Sequence, residues 1–289
     1  MFLKKEFHGI ELPAGVQLPS TAEIVDVCEK RGHQTLRGLA YPSAEKPIFW
    51  IKYGSGVYWN EVLALTIARR ELQRLGSPVR VPAVFYAFTA DSVTYIVMEY
   101  IEGKTGSQIL EETSEPAERE AVYRQMAAGI QELLRIPVPP QSRPAAIDGG
   151  VARHPFFQDY EAPRHYQTVE QLEQHINLFL HLTKSKPRVQ DLSREPIVFT
   201  FSDIHPGNFI INDGQVTVVD FSETSFLPSS FAKYAIRSTR HSPEYSISPW
   251  IDVPSTEGVD NTKALFALAY PMMIGGHSFG TIGKRIPGY

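Results

Sequence analysis

The stretch Phe199-Thr200-Phe201-Ser202-Asp203-Ile204-His205-Pro206-Gly207-Asn208, with Asp220 twelve residues beyond it, constrains this chain more than any other. Pro196 to Phe201 is β-branched and aromatic, the composition of a short buried strand. Pro206 and Gly207 cannot continue a ladder, so Ser202 to Asn208 leaves the strand as a loop. Phe209 to Asn212, Asp213-Gly214 and Gln215 to Val219 then read as a hairpin, because Asp-Gly is a preferred two-residue turn. A hairpin that starts at Asn208 returns beside its own start, so Asn208 and Asp220 become neighbours. Asp203, Asn208 and Asp220 would then offer oxygen atoms to one small volume, which suits a hard cation such as Mg²⁺. The plainer alternative is a surface hairpin whose Asp and Asn residues only serve its turns. His205 is read as shaping the loop by hydrogen bonding, against the alternatives of proton shuttle or metal ligand.

Upstream, Ile48 to Gly54 reads as a strand carrying Lys52 near its end. Val57 to Leu75 follows as a helix with Trp59, Val62, Leu63, Ile67 and Leu75 near one face and Gly76 to end it. Glu61 falls in its first turns. Taken singly, Lys52 is a solvated strand-end lysine and Glu61 an acid that favours a helix N-terminus. The order Lys, Glu, Asp, Asn, Asp along one chain is much harder to obtain by accident. Val93 to Gly103 reads as a strand that runs into a polar turn.

These blocks, with Val81-Pro82-Ala83-Val84-Phe85, Asp148-Gly149-Gly150 and Val219-Asp220-Phe221, resemble the aminoglycoside phosphotransferase and choline kinase-like superfamily over roughly residues 22 to 240. More closely, they are similar to its fungal phosphotransferase-like branch. The resemblance implies an α+β, two-lobed protein-kinase-like fold. Its small antiparallel-sheet lobe holds one helix, and its larger, mainly helical lobe holds a catalytic hairpin. It also implies transfer of the γ-phosphoryl group of ATP to a small-molecule hydroxyl. Asp203 would be the catalytic base, Asn208 and Asp220 the Mg²⁺ ligands, and Lys52 the phosphate contact held by Glu61. Backbone groups from Glu99 to Ile101 would hydrogen-bond the adenine. Relatives carry His-Gly before the catalytic Asp, where this chain has Phe201 and Ser202. Cys28 to Tyr41 holds two lone glycines, Gly32 and Gly38, in place of a glycine-rich phosphate loop. Trp50 shares a strand face with Lys52. It either stacks on a shifted base, fills the base's pocket, or turns into the small-lobe core.

The expected organisation is a Pro/Gly-bearing lead-in at 1–21, a nucleotide-binding lobe at 22–102 that ends in a hinge, and a helical lobe with the substrate cleft at 103–289. In the last, Glu115 to Ile136 has Val122, Met126, Ile130, Leu133 and Leu134 at helical spacing, and Thr168 to Gln171 fits a capping box. Gln141 to Pro163, with His154, Asp159 and Glu161, reads as a solvated loop. Ala264 to Gly276 reads as a buried helix end interrupted by Pro271. Trp250, Tyr270 and Phe279 line either an apolar pocket or a core.

A net charge of −4 without a basic block gives nucleic-acid binding no electrostatic support. No apolar run reaches the ~20 residues of a membrane helix. A single cysteine, Cys28, fits a reducing compartment, so a cytoplasmic location is expected. Gly106-Ser107-Gln108 is no nucleophile elbow, and no His/Cys cluster has zinc spacing. From His241 onward four acids (Glu244, Asp252, Glu257, Asp260) face three bases (Lys263, Lys284, Arg285), a weak excess for a polycationic aminoglycoside. Three functions follow in order: an ATP-dependent O-phosphotransferase, a degenerate kinase fold that serves as a binding or scaffold protein, and nucleotide-independent acid–base chemistry on a metabolite.

Overall fold

The computed structural model describes residues 5–32, 37–184, 186–238 and 246–281. Its first half runs β1 (Glu6–His8), α1 (Thr21–Lys30), β2 (Arg37–Tyr41), β3 (Phe49–Gly54), α2 (Trp59–Arg74), β4 (Val84–Ala90) and β5 (Val93–Glu99). The strands form one antiparallel sheet in the order β1-β4-β5-β3-β2. Strand alternation gives the sheet two apolar faces. Ile51, Tyr53, Tyr95 and Val97 pack with Ile24 and Cys28 of α1. Ile96 and Met98 face the other way, into the cluster that holds Val62, Leu65, Ala68 and Leu72 of α2. Trp50 and Lys52 fall on that second side.

The chain crosses at Tyr100 to Gly103 into the second lobe. There follow β6 (Lys104–Thr105), α3 (Gly106–Glu112), α4 (Pro116–Leu134), β7 (Ala145–Ala146), α5 (Val169–Leu182), β8 (Ile197–Phe201), β9 (Phe209–Asn212), β10 (Gln215–Val218), β11 (Thr224–Pro228), α6 (Ser229–Arg237) and α7 (Thr262–Thr281). Two small sheets, β10-β9-β6 and β7-β11-β8, are set among these helices. α4 buries Val122, Met126, Ile130 and Leu133, the expected stripe, in one cluster with Phe199, Phe209 and Phe221. Thr168 caps α5 by accepting from Gln171 N–H. The protein is therefore α+β and two-lobed, one lobe built on an antiparallel sheet and one mainly helical. No helix among the described residues is long and apolar enough to cross a membrane.

Several expectations need correction. The lead-in is not all outside the sheet, because Glu6–His8 pairs with Phe88–Tyr86 and covers the ladder groups that β4 would leave at an edge. The small lobe carries two helices, because a sheet apolar on both faces needs α1 over the second. α2 buries Glu61, Ala64, Leu65, Ala68 and Leu72, while Trp59, Leu63, Ile67 and Leu75 stay partly exposed. Its polar residues turn inward and rotate the buried stripe away from the one drawn through large side chains.

The 141–163 segment is irregular but packed, with His154, Phe156 and Phe157 buried. His154 accepts from Phe156 N–H at 3.1 Å and lies 3.1 Å from Phe231 O, so side chains meet backbone needs that a helix or strand would otherwise meet. α7 runs through Pro271. Tyr270 is 70% exposed and Trp250 lies against Arg124, so these two line no common pocket. The side chain of Phe279, residues 33–36 of the Cys28 to Tyr41 stretch, and Glu244, Lys284 and Arg285 lie outside the described residues.

Candidate active site

β3 brings Lys52 to the α2 side of the sheet, and the first turn of α2 brings Glu61 to meet it. The ammonium lies 2.8 Å from both Glu61 carboxylate oxygens and 2.9 Å from Asp220 Oδ1. Lys52 is 8% exposed and Glu61 1%, so neither is the solvated charge of the plainer reading. Burial works against the ammonium, but Glu61 and Asp220 outweigh it and hold the Lys52 pKa above the ordinary lysine value. Burial pushes Glu61 up to about 7, against the pull of Lys52. Burial would also raise Asp220, yet Lys52 and hydrogen bonds from Ser222 keep it below the ordinary aspartate value.

The hairpin delivers Asp220 as its spacing implies. Asp213 and Gly214 turn at φ 47° and 79°, β10 returns along β9, and Val219 N–H donates to Asn208 O at 2.9 Å. Asp220 itself sits at φ 61°, a left-handed conformation that Asp adopts more readily than bulkier residues, and so leaves the ladder with its carboxylate at Lys52. On the other side β8 ends at Phe201. Ser202 donates through N–H (3.3 Å) and Oγ (2.6 Å) to Glu223 O, which ties the Asp203 loop to the segment after Asp220. Asn208 Nδ2 donates to Asp203 O at 3.0 Å and Oδ2 at 2.8 Å. That turns the amide nitrogen toward Asp203 and leaves Oδ1 as the end available to a cation. His205 Nδ1 accepts from Gly207 N–H at 3.0 Å and caps the short turn Pro206–Asn208, the loop-shaping role.

A cavity of about 570 Å³ between the lobes is lined by Lys52, Glu61, Asn208 and Asp220 and, across from them in sequence, by Glu99 to Ile101. Asp203 is not in its wall but is joined to it through Asn208. Glu99 N–H donates to Ala83 O, and the Glu99 carboxylate pairs with Arg69 at 3.0 Å and Arg80 at 2.7 Å. The N–H and the carboxylate of Glu99 are thus both engaged within the small lobe. Trp50 also lines the cavity and is 38% exposed, so it does not turn into the small-lobe core. Its indole lies over the diagonal neighbour Gly38, where a Cβ would stand 2.3 Å from Cζ2. One of the two lone glycines is therefore clearance for an indole.

Asn208 Oδ1 and the Asp220 carboxylate fit Mg²⁺, which keeps waters and phosphate oxygens in its shell and takes few protein ligands. Among the described residues no group of three or more His, Cys, Asp or Glu side chains is arranged to hold a metal unaided.

The family model described as Phosphotransferase enzyme family matches residues 61–228, more than half of the chain. The chain belongs to that family. The match opens at Glu61 and spans Asp203 to Asp220, while Trp50 and Lys52 precede it. Aminoglycoside phosphotransferase APH(3'')-Id from Streptomyces rimosus is similar at 14% identity, over 88% of this chain and 98% of that one, with a TM-score of 0.45. Its complex with ADP and streptomycin gives 14%, 89%, 99% and 0.44. A point mutant of aminoglycoside 2'-phosphotransferase-IIIa in complex with GDP gives 13%, 90%, 91% and 0.47. No curated protein sequence matches the chain.

Two residues of this family member escaped sequence reasoning. Arg153, from the packed 141–163 segment, donates to Ser222 O at 3.0 Å, pairs with Glu161 and lies 3.6 Å over the Tyr58 ring. Asn60, one residue before Glu61, is 1% exposed and also reaches Ser222 O. A polar residue at a helix start, like Asn60, or in a Pro/Gly-rich segment, like Arg153, looks the same in sequence whether it faces water or a neighbouring segment, so no signal marked either.

Proposed function

We propose that this protein transfers the γ-phosphoryl group of Mg·ATP to a hydroxyl of a small-molecule metabolite. The observation that carries the reading is the convergence of Lys52, Glu61, Asn208 and Asp220 on one cavity, with Asp203 held beside it by Asn208. Glu99 O and Ile101 N–H would take the edge of the base. Lys52, aligned by Glu61, would hold the phosphates. Mg²⁺ on Asn208 Oδ1 and Asp220 would neutralise charge on the β- and γ-phosphate oxygens. Asp203 would accept the acceptor's proton as its oxygen bonds to the γ-phosphorus and the bond to the β–γ bridging oxygen breaks, releasing ADP. Residues 5–102 would form the nucleotide-binding lobe and 103–281 the lobe that carries the acceptor cleft. A cytoplasmic location accords with the need for ATP. The open cavity beside Trp50 favours this reading over a fold whose indole fills the base site.

Calorimetric titration with ATP, with and without Mg²⁺, tests it first. Metal-dependent binding is expected in the wild type and its loss in Asp220→Asn, with the circular dichroism spectrum unchanged. A screen of hydroxyl metabolites with γ-labelled ATP should then find an acceptor whose labelling falls on the order of 10²–10⁴-fold in Asp203→Asn. Equal ATP binding by Asp220→Asn and wild type would refute the assignment.

A further inference from the structure

α2 is held at both ends by polar side chains. Near its C-terminal half Arg69 donates to Val81 O at 2.9 Å and to Glu99 at 3.0 Å, both in the small lobe. At its N-terminus Asn60 reaches into the large lobe. Asn60 Nδ2 donates to Ser222 O at 3.0 Å and Thr224 O at 2.9 Å, and Oδ1 accepts from Ile147 N–H at 2.7 Å and Asp148 N–H at 3.3 Å. Every donor and acceptor of this amide is used, and all four partners are backbone groups. They belong to two segments that adjoin β7 and β11, so the side chain closes the open end of the sheet β7-β11-β8. That sheet has β8, which leads into the Asp203 loop, and β11, which follows Asp220.

We infer that Asn60 is a positioning residue that fixes Glu61, and through it Lys52, relative to Asp220. The inference deepens the phosphotransferase reading and rests on it. The geometry is direct. Glu61 is the next residue along the helix, and Ser222 is two residues from Asp220. Nine residues separate Asn60 from Arg69, about 14 Å of helix, so α2 is a strut pinned to one lobe at each end. A rotation of α2 that carried Glu61 away from Lys52 would strip four backbone groups of their partner, the buried Thr224 carbonyl and the half-buried Ser222 and Ile147 groups among them, and such groups are costly to leave unmet. Arg153 reinforces the same point, since it donates to the same Ser222 carbonyl and covers Tyr58 at the start of the helix. The site's charged residues are therefore assembled by the fold itself, and Asn60 is a side chain through which the large lobe sets the start of the helix.

The test is Mg·ATP affinity by calorimetry in Asn60→Leu, Glu61→Gln, the double variant and Leu268→Ala. Leu268 is fully buried in the second core, remote from the cavity, and serves as a control for lost stability alone. Asn60→Leu is expected to weaken Mg·ATP about tenfold or more, as is Glu61→Gln, with little further loss in the double variant because both act through one pair. Leu268→Ala should lower the melting temperature yet leave affinity within about twofold, since distant sites act independently. Asn60→Asp, which keeps both acceptor bonds and loses both donations, should fall between wild type and Asn60→Leu, and it carries the test if the Leu variant does not fold. Wild-type affinity in Asn60→Leu, or losses that multiply in the double variant, overturns the inference while the phosphotransferase reading stands. Absence of Mg·ATP binding in the wild type overturns both.

Discussion

A single side chain can show how far the interior of this protein departs from the charge states of free amino acids. His175 of α5 is fully buried, with the Tyr166 hydroxyl 2.6 Å from Nδ1 and no hydrogen-bond partner at Nε2 among the described residues. Burial, helped by the nearby Arg164 charge, lowers its pKa from the ordinary 6.5 to about 4. The folded state binds the proton less readily than the unfolded one. The stabilising contribution is therefore complete above about pH 6.5 and is lost as pH falls toward 4, amounting to ~3 kcal/mol at the low end. Glu61, pushed up to about 7, titrates in the same window with the opposite sign, because its folded form holds the proton more tightly. The measurement is accordingly a difference. Melting temperatures of wild type and His175→Gln between pH 7.5 and 4.5 should converge as pH falls, since only the wild type loses this contribution. Parallel curves would show that His175 does not carry it.

At the scale of elements, packing distances decide effects that propensity alone would misjudge. Gly106 opens α3, where alanine is ordinarily the better helix former by ~1 kcal/mol. A Cβ there would stand 2.8 Å from Pro206 O, a backbone atom of the turn that ends at Asn208. A backbone carbonyl has no rotamer through which to yield, so the clash outweighs the propensity. Gly106→Ala is expected to destabilise by about 1–3 kcal/mol in chemical denaturation and to weaken Mg·ATP, because the displaced turn carries the Asn208 amide. A gain in stability with unchanged affinity would mean that α3 can move off the loop freely. The same contrast explains what sequence could and could not reveal. The hairpin was legible because Asp213-Gly214 has one comfortable backbone solution, and that solution returns Asp220 to Asn208. The stripe of α4 was legible because its apolar side chains face one core. The buried face of α2 was not, because Asn60 and Glu61 turn inward to partners 162 and 9 residues away, which no local pattern records. The packed 141–163 segment escaped for a related reason. Its Pro and Gly residues look like those of a solvated loop until Arg153 and His154 meet their partners.

For the whole molecule the decisive feature is a core that does not stop at the lobe boundary. One apolar cluster joins Val62, Leu65 and Ile96 of the sheet lobe to Met126, Ile130, Phe209 and Phe221 of the helical lobe. Backbone pairing crosses the boundary too, with Arg80 N–H donating to Val216 O and Val218 N–H to Arg80 O, each at 2.9 Å. Neither lobe can lose its packing without exposing the other's share of the cluster. Proteins of this length often unfold through intermediates, lobe by lobe, so a single transition would be informative. The tryptophans supply local probes. Trp59 donates to Thr89 in the sheet lobe, and Trp250 lies against Arg124 in the helical one. With Trp50 and Trp250 changed to Phe, fluorescence reports Trp59 alone; with Trp50 and Trp59 changed, it reports Trp250. Urea midpoints from the two variants should coincide after correction for each variant's overall stability by circular dichroism. A Trp59 midpoint lower by more than about 0.5 M urea, relative to the circular dichroism midpoint of the same variant, would show the sheet lobe melting first. The shared cluster would then be contact between two separately stable cores.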